Sequence, residues 1–305
     1  MAFQDVTLQL GPLQLRTPLI AASGTVGSVW EWAEIADQSK YGAAVAKSVA
    51  PEPWTGRRPP RLAPTEVGML NGIGIQNQGI EDWVSSMRTR LPSLQVPVWG
   101  SAVAGDPEGF ALVAKGLGTA GVAAVEVNLS CPNLDDGEMF SFDARRSHDV
   151  VEAVKSAVDL PIAAKLSPNT PDIVAVATAC HDAGADILVL TNTALGFGVS
   201  LADRKPLLSG GVGGYSGPGL KPISLRCVYQ VATALPGVPI VGCGGVSNGR
   251  DIVEYLVSGA SAVAAGTIHL AEPRAGGRLL REMEKEMRRL GASSVTDLIG
   301  TVGEW

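Results

Sequence analysis

The chain has 305 residues, of which 46% are hydrophobic and 18% charged, a mixture that supports a sizeable core and excludes a disordered or fibrous protein. Its net charge is −6, and apart from Arg57-Arg58 and the segment Lys285 to Arg289 its basic residues are scattered, so no basic stripe suited to nucleic acid is present. The longest apolar stretch, LVSGASAVAAGTIHLA from Leu256, is interrupted by Ser258, Ser261, Thr267 and His269, so the expectation is a cytoplasmic protein with no membrane span.

VTLQLGPLQL alternates at period two around Gly11-Pro12 and predicts a β-hairpin. From there one pattern repeats. Apolar runs bounded by Gly or Ser occur at 18–24, 43–48, 98–103, 124–130, 162–167, 187–192, 239–245 and 262–267. Segments of helical spacing separate them, with Pro near the start and Gly at the end, as in DPEGFALVAKGLGTAG. Near-continuous apolar character suits parallel strands buried on both faces. Eight such units predict an α/β chain forming one (β/α)8 TIM barrel domain over residues 1–305, with the hairpin outside it. A doubly wound sheet is the alternative, since the same alternation builds both.

In a barrel, function gathers where strands end. Lys47, Asn128, Lys165 and Asn192 fall there, and burying them unpaired would cost several kcal/mol each. Ion pairing inside the barrel is the weaker explanation, because Glu126 is the only acid within a predicted strand. The runs GGVGGYSG (210–217) and GCGGVSNG (242–249), with Ala265-Gly266-Thr267, predict a cradle for a phosphorylated ligand after strands seven and eight, where backbone N–H groups can approach an anion. No Walker motif is present, so the ligand is expected to be a bound cofactor.

Four cysteines occur without a C-x-x-C pair, so neither zinc nor an iron–sulfur cluster has its usual ligand spacing. Cys180 and Cys227 fall on apolar helical faces, and Cys243 lies among the cradle glycines. Cys131 instead opens CPNLDDGEMFSFDARRS, a long polar segment after strand 4 with the composition of a lid. No histidine is placed to activate the thiol as a nucleophile, so a proton-abstracting base is the better reading.

VEVNLSCPN (125–133), with ASGT (22–25), KSVAPEP (47–53), GMLNGIGIQNQG (68–79), AKLSP (164–168), LTNT (190–193) and GGYSGPGLKP (213–222), resembles the dihydroorotate dehydrogenase family across nearly the full length. The resemblance implies an FMN-containing (β/α)8 barrel that oxidises dihydroorotate to orotate in pyrimidine biosynthesis. A cysteine base marks the soluble class 1. The segment NLDDGEMFSFD is similar to the NAD-linked type, which implies a homodimer core of a heterotetramer with an iron–sulfur FAD electron-transfer subunit. By position, the resemblance implies that Cys131 is the base. It puts Lys47, Asn71, Gly72, Ile73, Gly74, Ile75, Asn128, Asn133, Asn192 and Thr193 on the substrate. It puts Ser23, Lys47, Ser48, Asn128, Lys165, Gly217, Gly244, Gly245, Gly266 and Thr267 on the flavin. Ser101-Ala102 and Gln78 depart from the family pattern. Three alternatives stay open: a uracil- or thymine-type pyrimidine dehydrogenase, a Schiff-base aldolase using Lys47 or Lys165, and a non-catalytic binding barrel.

Overall fold

The structure is a computed structural model and describes residues 6–129 and 139–303. Eight parallel strands close into a barrel. In chain order they are β1 Leu19–Ala21, β2 Ala43–Val45, β3 Val98–Ala102, β4 Ala124–Asn128, β5 Ile162–Leu166, β6 Ile187–Leu190, β7 Ile240–Cys243 and β8 Ala262–Ala265. Each lies inside one of the eight apolar runs. Val263 and Ala264 of β8 pair with Leu19 and Ile20 of β1, and this closure rules out the doubly wound alternative.

The helices are α1 Trp30–Ala33, α2 Ile80–Met87, α3 Pro107–Ala120, α4 Ala144–Ala157, α5 Ile173–Asp182, α6 Lys221–Ala234, α7 Gly249–Val257, α8 Ile268–Ala271 and α9 Gly276–Arg289. Their ends are specified locally. Asp106 accepts a hydrogen bond from Gly109 N ahead of α3, and Asp143 and Asp172 do the same ahead of α4 and α5. Each such cap is worth about 1 kcal/mol.

Inside the barrel, Trp99 is fully buried in a cluster with Ala43, Ala124, Ala163 and Ala262. The alanines leave the room that one indole fills. Leu8, Leu10 and Leu15 join the same cluster from the antiparallel hairpin Leu8–Leu10 and Leu13–Leu15. Gly11 at its turn lies against Asp186 O, Ile187 and Pro239, at the starts of β6 and β7. The hairpin therefore stops the amino-terminal end of the barrel.

Two excursions rise over the other end. The β2–α2 connection contributes Leu62–Thr65 and Gly68–Asn71, and the β6–α6 connection contributes Ala194–Gly196 and Gly213–Ser216. These four pieces form one antiparallel sheet. The run GGVGGYSG is thus in part a strand after β6, where the sequence suggested only a turn beside β7 and β8. Of the segment read as a lid, 131–138 lie outside the described residues. Met139 and Phe140 do not line the cavity mouth: both are buried, and Phe140 packs edge-on against Phe110 of α3 at 5.6 Å. Their apolar surface goes to the outer layer of the barrel.

His269 on α8 is 2% exposed, with Nε2 2.9 Å from the Tyr41 hydroxyl and Nδ1 3.5 Å from Thr25 Oγ1. Burial pushes its pKa down from 6.5 to about 4. Between those values the unfolded chain binds the proton and the folded chain does not, so stability is full above pH 6.5 and is lost as pH falls towards 4. Urea unfolding at pH 7.5 and pH 5 should show about 2 kcal/mol more loss for the parent protein than for His269→Gln. Equal losses would mean that the imidazole titrates normally.

Candidate active site

A cavity of about 710 Å³ opens at the carboxyl ends of the barrel strands, within the range of small-molecule and cofactor sites. Its floor holds Lys165 from the end of β5, and Ser23, Lys47, Ser48 and Asn128 come from the ends of β1, β2 and β4. Thr191, Asn192 and Thr193 follow β6. Asn71 reaches in from the excursion sheet, where its Nδ2 donates to Gly214 O at 3.2 Å. Ile73, Gly74 and Ile75 continue the same wall. Ile75 is held at φ +56°, a conformation rare for a β-branched residue that costs about 1–3 kcal/mol. Asn77 secures it: Nδ2 donates to Ile75 O at 2.7 Å, while Oδ1 accepts from Gly79 N at 2.9 Å and Ala50 N at 3.1 Å.

Gly217, Gly244, Gly245, Gly266 and Thr267 line the same cavity. Gly245 has φ +72°, and a Cβ there would stand 2.7 Å from Lys221 N and 2.9 Å from Gly217 O. Only glycine fits. The loop is fastened from behind by Asp251, which accepts from Ser247 N and Oγ at 2.8 Å each, Asn248 N at 3.1 Å and Lys221 Nζ at 2.6 Å. Burial pushes the Asp251 carboxyl up, but the hydrogen bonds from Lys221 and Ser247 outweigh it and hold it below the usual carboxylate range.

Beneath the floor runs a chain of polar contacts. Asn192 Nδ2 donates to Asn128 Oδ1 at 3.2 Å, and Asn128 Nδ2 donates to Ser48 Oγ at 3.2 Å. The Ser48 and Ser101 hydroxyls are 2.9 Å apart, and Ser101 Oγ donates to Glu126 Oε1 at 3.2 Å. The Glu126 oxygen also lies 3.7 Å from Lys165 Nζ, with both side chains almost wholly buried. This corrects, for Lys165, the expectation that ion pairing inside the barrel is the weaker explanation. Glu126 and Lys165 sit on adjacent strands, two residues beyond the inward-facing Ala124 and Ala163, so both enter the interior. Burial pulls the Lys165 ammonium down, but the charge of Glu126 outweighs it and the pKa ends above its ordinary value.

All but three of the residues named from sequence are thus brought to one cavity. Gly72 is not on its wall: it faces Arg57 and Leu208 instead, because neighbouring residues of an extended strand end point to opposite sides. Cys131 and Asn133 lie outside the described residues. Sequence reasoning missed Thr191, Ser216 and Ser247, which line the cavity, and the buried pair Ser101 and Glu126. Ser101, noted as a departure, is wholly buried below the floor. Cys243 lines the cavity, and burial raises its thiol pKa; Cys180 and Cys227 are core residues. Among the described residues no cluster of His, Cys, Asp and Glu could hold a metal ion, and no helix is long and apolar enough to cross a membrane.

Residues 6–287 match the dihydroorotate dehydrogenase family. A protein of Geobacter sp. (strain M21) named dihydroorotate dehydrogenase B (NAD(+)), catalytic subunit, is 40% identical over 300 residues, covering 98% of each chain. A protein of the same name from Maridesulfovibrio salexigens is 41% identical over 301 residues, again 98% of each chain. Another from Listeria monocytogenes is 39% identical over 295 residues, 96% of this chain and 97% of the other. The crystal structure of DHODH in complex with ferulenol from Eimeria tenella superposes with a TM-score of 0.82 at 19% identity, over 97% of this chain and 88% of that one, and supports the fold. With a match over most of its length and relatives near 40% identity across almost all of it, the chain belongs to the dihydroorotate dehydrogenase family.

Proposed function

We propose that this chain is the catalytic subunit of an NAD-linked dihydroorotate dehydrogenase: it oxidises dihydroorotate to orotate in pyrimidine biosynthesis, with FMN in the barrel cavity. Electrons leave to a separate iron–sulfur subunit carrying FAD, around a homodimer core, in the cytoplasm. The observation that carries this reading is that one cavity gathers the glycine turns after β7 and β8, the amides of Asn71, Asn128 and Asn192, and the buried ammonium of Lys165.

The residues fit a flavin mononucleotide. Gly217, Gly244, Gly245 and Gly266 line the cavity without side chains, and at Gly245 a Cβ would meet Lys221 N and Gly217 O, so glycine keeps a tight turn whose backbone N–H groups an anionic phosphate can approach. A bound flavin supplies the acceptor for two electrons and a hydrogen from the substrate. Lys165 brings a buried positive charge to the floor, suited to the negative charge that reduction leaves on a pyrimidine edge. Asn71, Asn128, Asn192 and Thr193 present both donors and acceptors, which the ring amides of a dihydropyrimidine can satisfy together. Lys47 supplies the cation for the substrate carboxylate, and Cys131 takes the proton from C5. A Schiff base on Lys165 is disfavoured, because the ion pair with Glu126 keeps the amine protonated and non-nucleophilic.

Purified protein should be yellow with a flavin spectrum and release FMN on denaturation. It should reduce NAD with dihydroorotate only when the second subunit is present; efficient NAD reduction by the lone chain, or colourless protein that takes up no flavin, would defeat the reading. Gly245→Val should weaken FMN binding at least tenfold, measured by fluorescence titration of the apoprotein. Unchanged affinity would place the phosphate elsewhere.

A further inference from the structure

We propose that Glu126 is the positioning residue of the cavity floor: from below, its carboxylate keeps Lys165 in the ammonium form and orients the amides of Asn128 and Asn192. The inference rests on the flavin reading above. Glu126 is 1% exposed and is not on the cavity wall, so it reaches the site only through its neighbours. It does so by two routes.

The first runs through Lys165, 5% exposed and on the floor. An amine so buried favours its neutral form, because water no longer stabilises the charge. Among the described residues its ion-pair partner is Glu126. Among the described residues the other titratable groups around it are Cys243 from β7 and Lys47, which lines the same cavity beyond β2. Cys243 is a buried thiol whose ionisation burial opposes, and Lys47 carries the wrong sign. Neither can replace the carboxylate.

The second route is the hydroxyl and amide chain. A carboxylate can only accept, so the Ser101 proton is committed to Glu126. Ser101 must then accept from Ser48, which leaves Ser48 to accept from Asn128 Nδ2. Asn128 Oδ1 is thereby turned to Asn192 Nδ2, and Asn192 Oδ1 to Thr193 N at 2.8 Å. In each of these five contacts the donor lies on the side away from Glu126. A glutamine at 126 offers a donor as well as an acceptor, and the direction of the chain is no longer set.

The test uses sulfite, which adds reversibly to an oxidised flavin ring, its lone pair forming the new bond and leaving negative charge on the ring that a neighbouring cation stabilises. In Glu126→Gln holoprotein, the sulfite Kd relative to the parent protein at the same pH cancels sulfite's own ionisation. That ratio should rise at least fivefold from pH 6 to pH 9, as Lys165 loses its proton. A ratio constant within twofold overturns the proposal. The rise should persist in the Glu126→Gln/Cys243→Ser double variant; its disappearance there would assign the ionisation to the thiol and overturn the proposal equally. Should Glu126→Gln fail to fold or to retain flavin, Ser101→Ala decides, since it cuts the relay and spares the ion pair. Orotate should then bind at least fivefold more weakly with the sulfite ratio flat, and orotate affinity within twofold of the parent overturns the proposal. Parent protein that cannot take up flavin defeats the flavin reading, and this inference with it, before any variant is made.

Discussion

Replacing Cys131 by serine is expected to slow reduction of the flavin by dihydroorotate by about 10²- to 10⁴-fold at neutral pH, while the protein stays yellow. Desaturating the ring beside its carbonyl requires removal of the C5 proton as hydride leaves C6, and a hydroxyl is a far poorer base than a thiolate. In the parent protein the same half-reaction should rise with pH through a single ionisation at about 8.5, the value of a free thiol, or lower where a lysine favours the thiolate. Anaerobic stopped-flow mixing measures both. An alanine variant that reduces its flavin at the parent rate would remove Cys131 from the chemistry.

Lys47→Ala should abolish turnover of dihydroorotate at ordinary concentrations. Lys47 follows β2 and lines the cavity, and loss of a charge-assisted hydrogen bond to a carboxylate in a closed site costs roughly 2 to 5 kcal/mol. That corresponds to about 30- to 5,000-fold in kcat/KM. Dihydrouracil, which lacks the carboxylate, provides the comparison. The parent protein should strongly prefer dihydroorotate, and Lys47→Ala should erase most of that preference. A parent protein that prefers dihydrouracil would overturn the assignment of substrate.

The barrel was legible because parallel strands buried on both faces leave an unbroken trace of Val, Ile and Ala, and all eight runs contain a barrel strand. The polar residues at their ends were legible for the same reason: Lys165 and Asn192 interrupt apolar stretches. The excursion sheet was not. Met69 pairs with Ser216 and Leu70 with Tyr215, partners far apart in the chain, and a glycine-rich strand carries almost no β signature of its own. Glu126 was dismissed as a lone acid. The signal was its parity: it stands two residues after Ala124, as Lys165 stands two after Ala163, and on neighbouring strands equal parity means a shared interior. Gly72 was carried along with its neighbours in GMLNGIGIQNQG, although its own contacts turn away from the cavity.

The hairpin that stops the barrel has a consequence for how the chain comes off the ribosome. Its leucines join a cluster completed by Ile187, Val241 and Ala262, and β1, just after it, hydrogen-bonds to β8. The hairpin is therefore translated more than 150 residues before its resting place exists. At about 5–20 residues per second, Leu8, Leu10 and Leu15 wait roughly ten seconds or more for that cluster to be completed, a window in which a nascent-chain chaperone would find them and after which they become inaccessible.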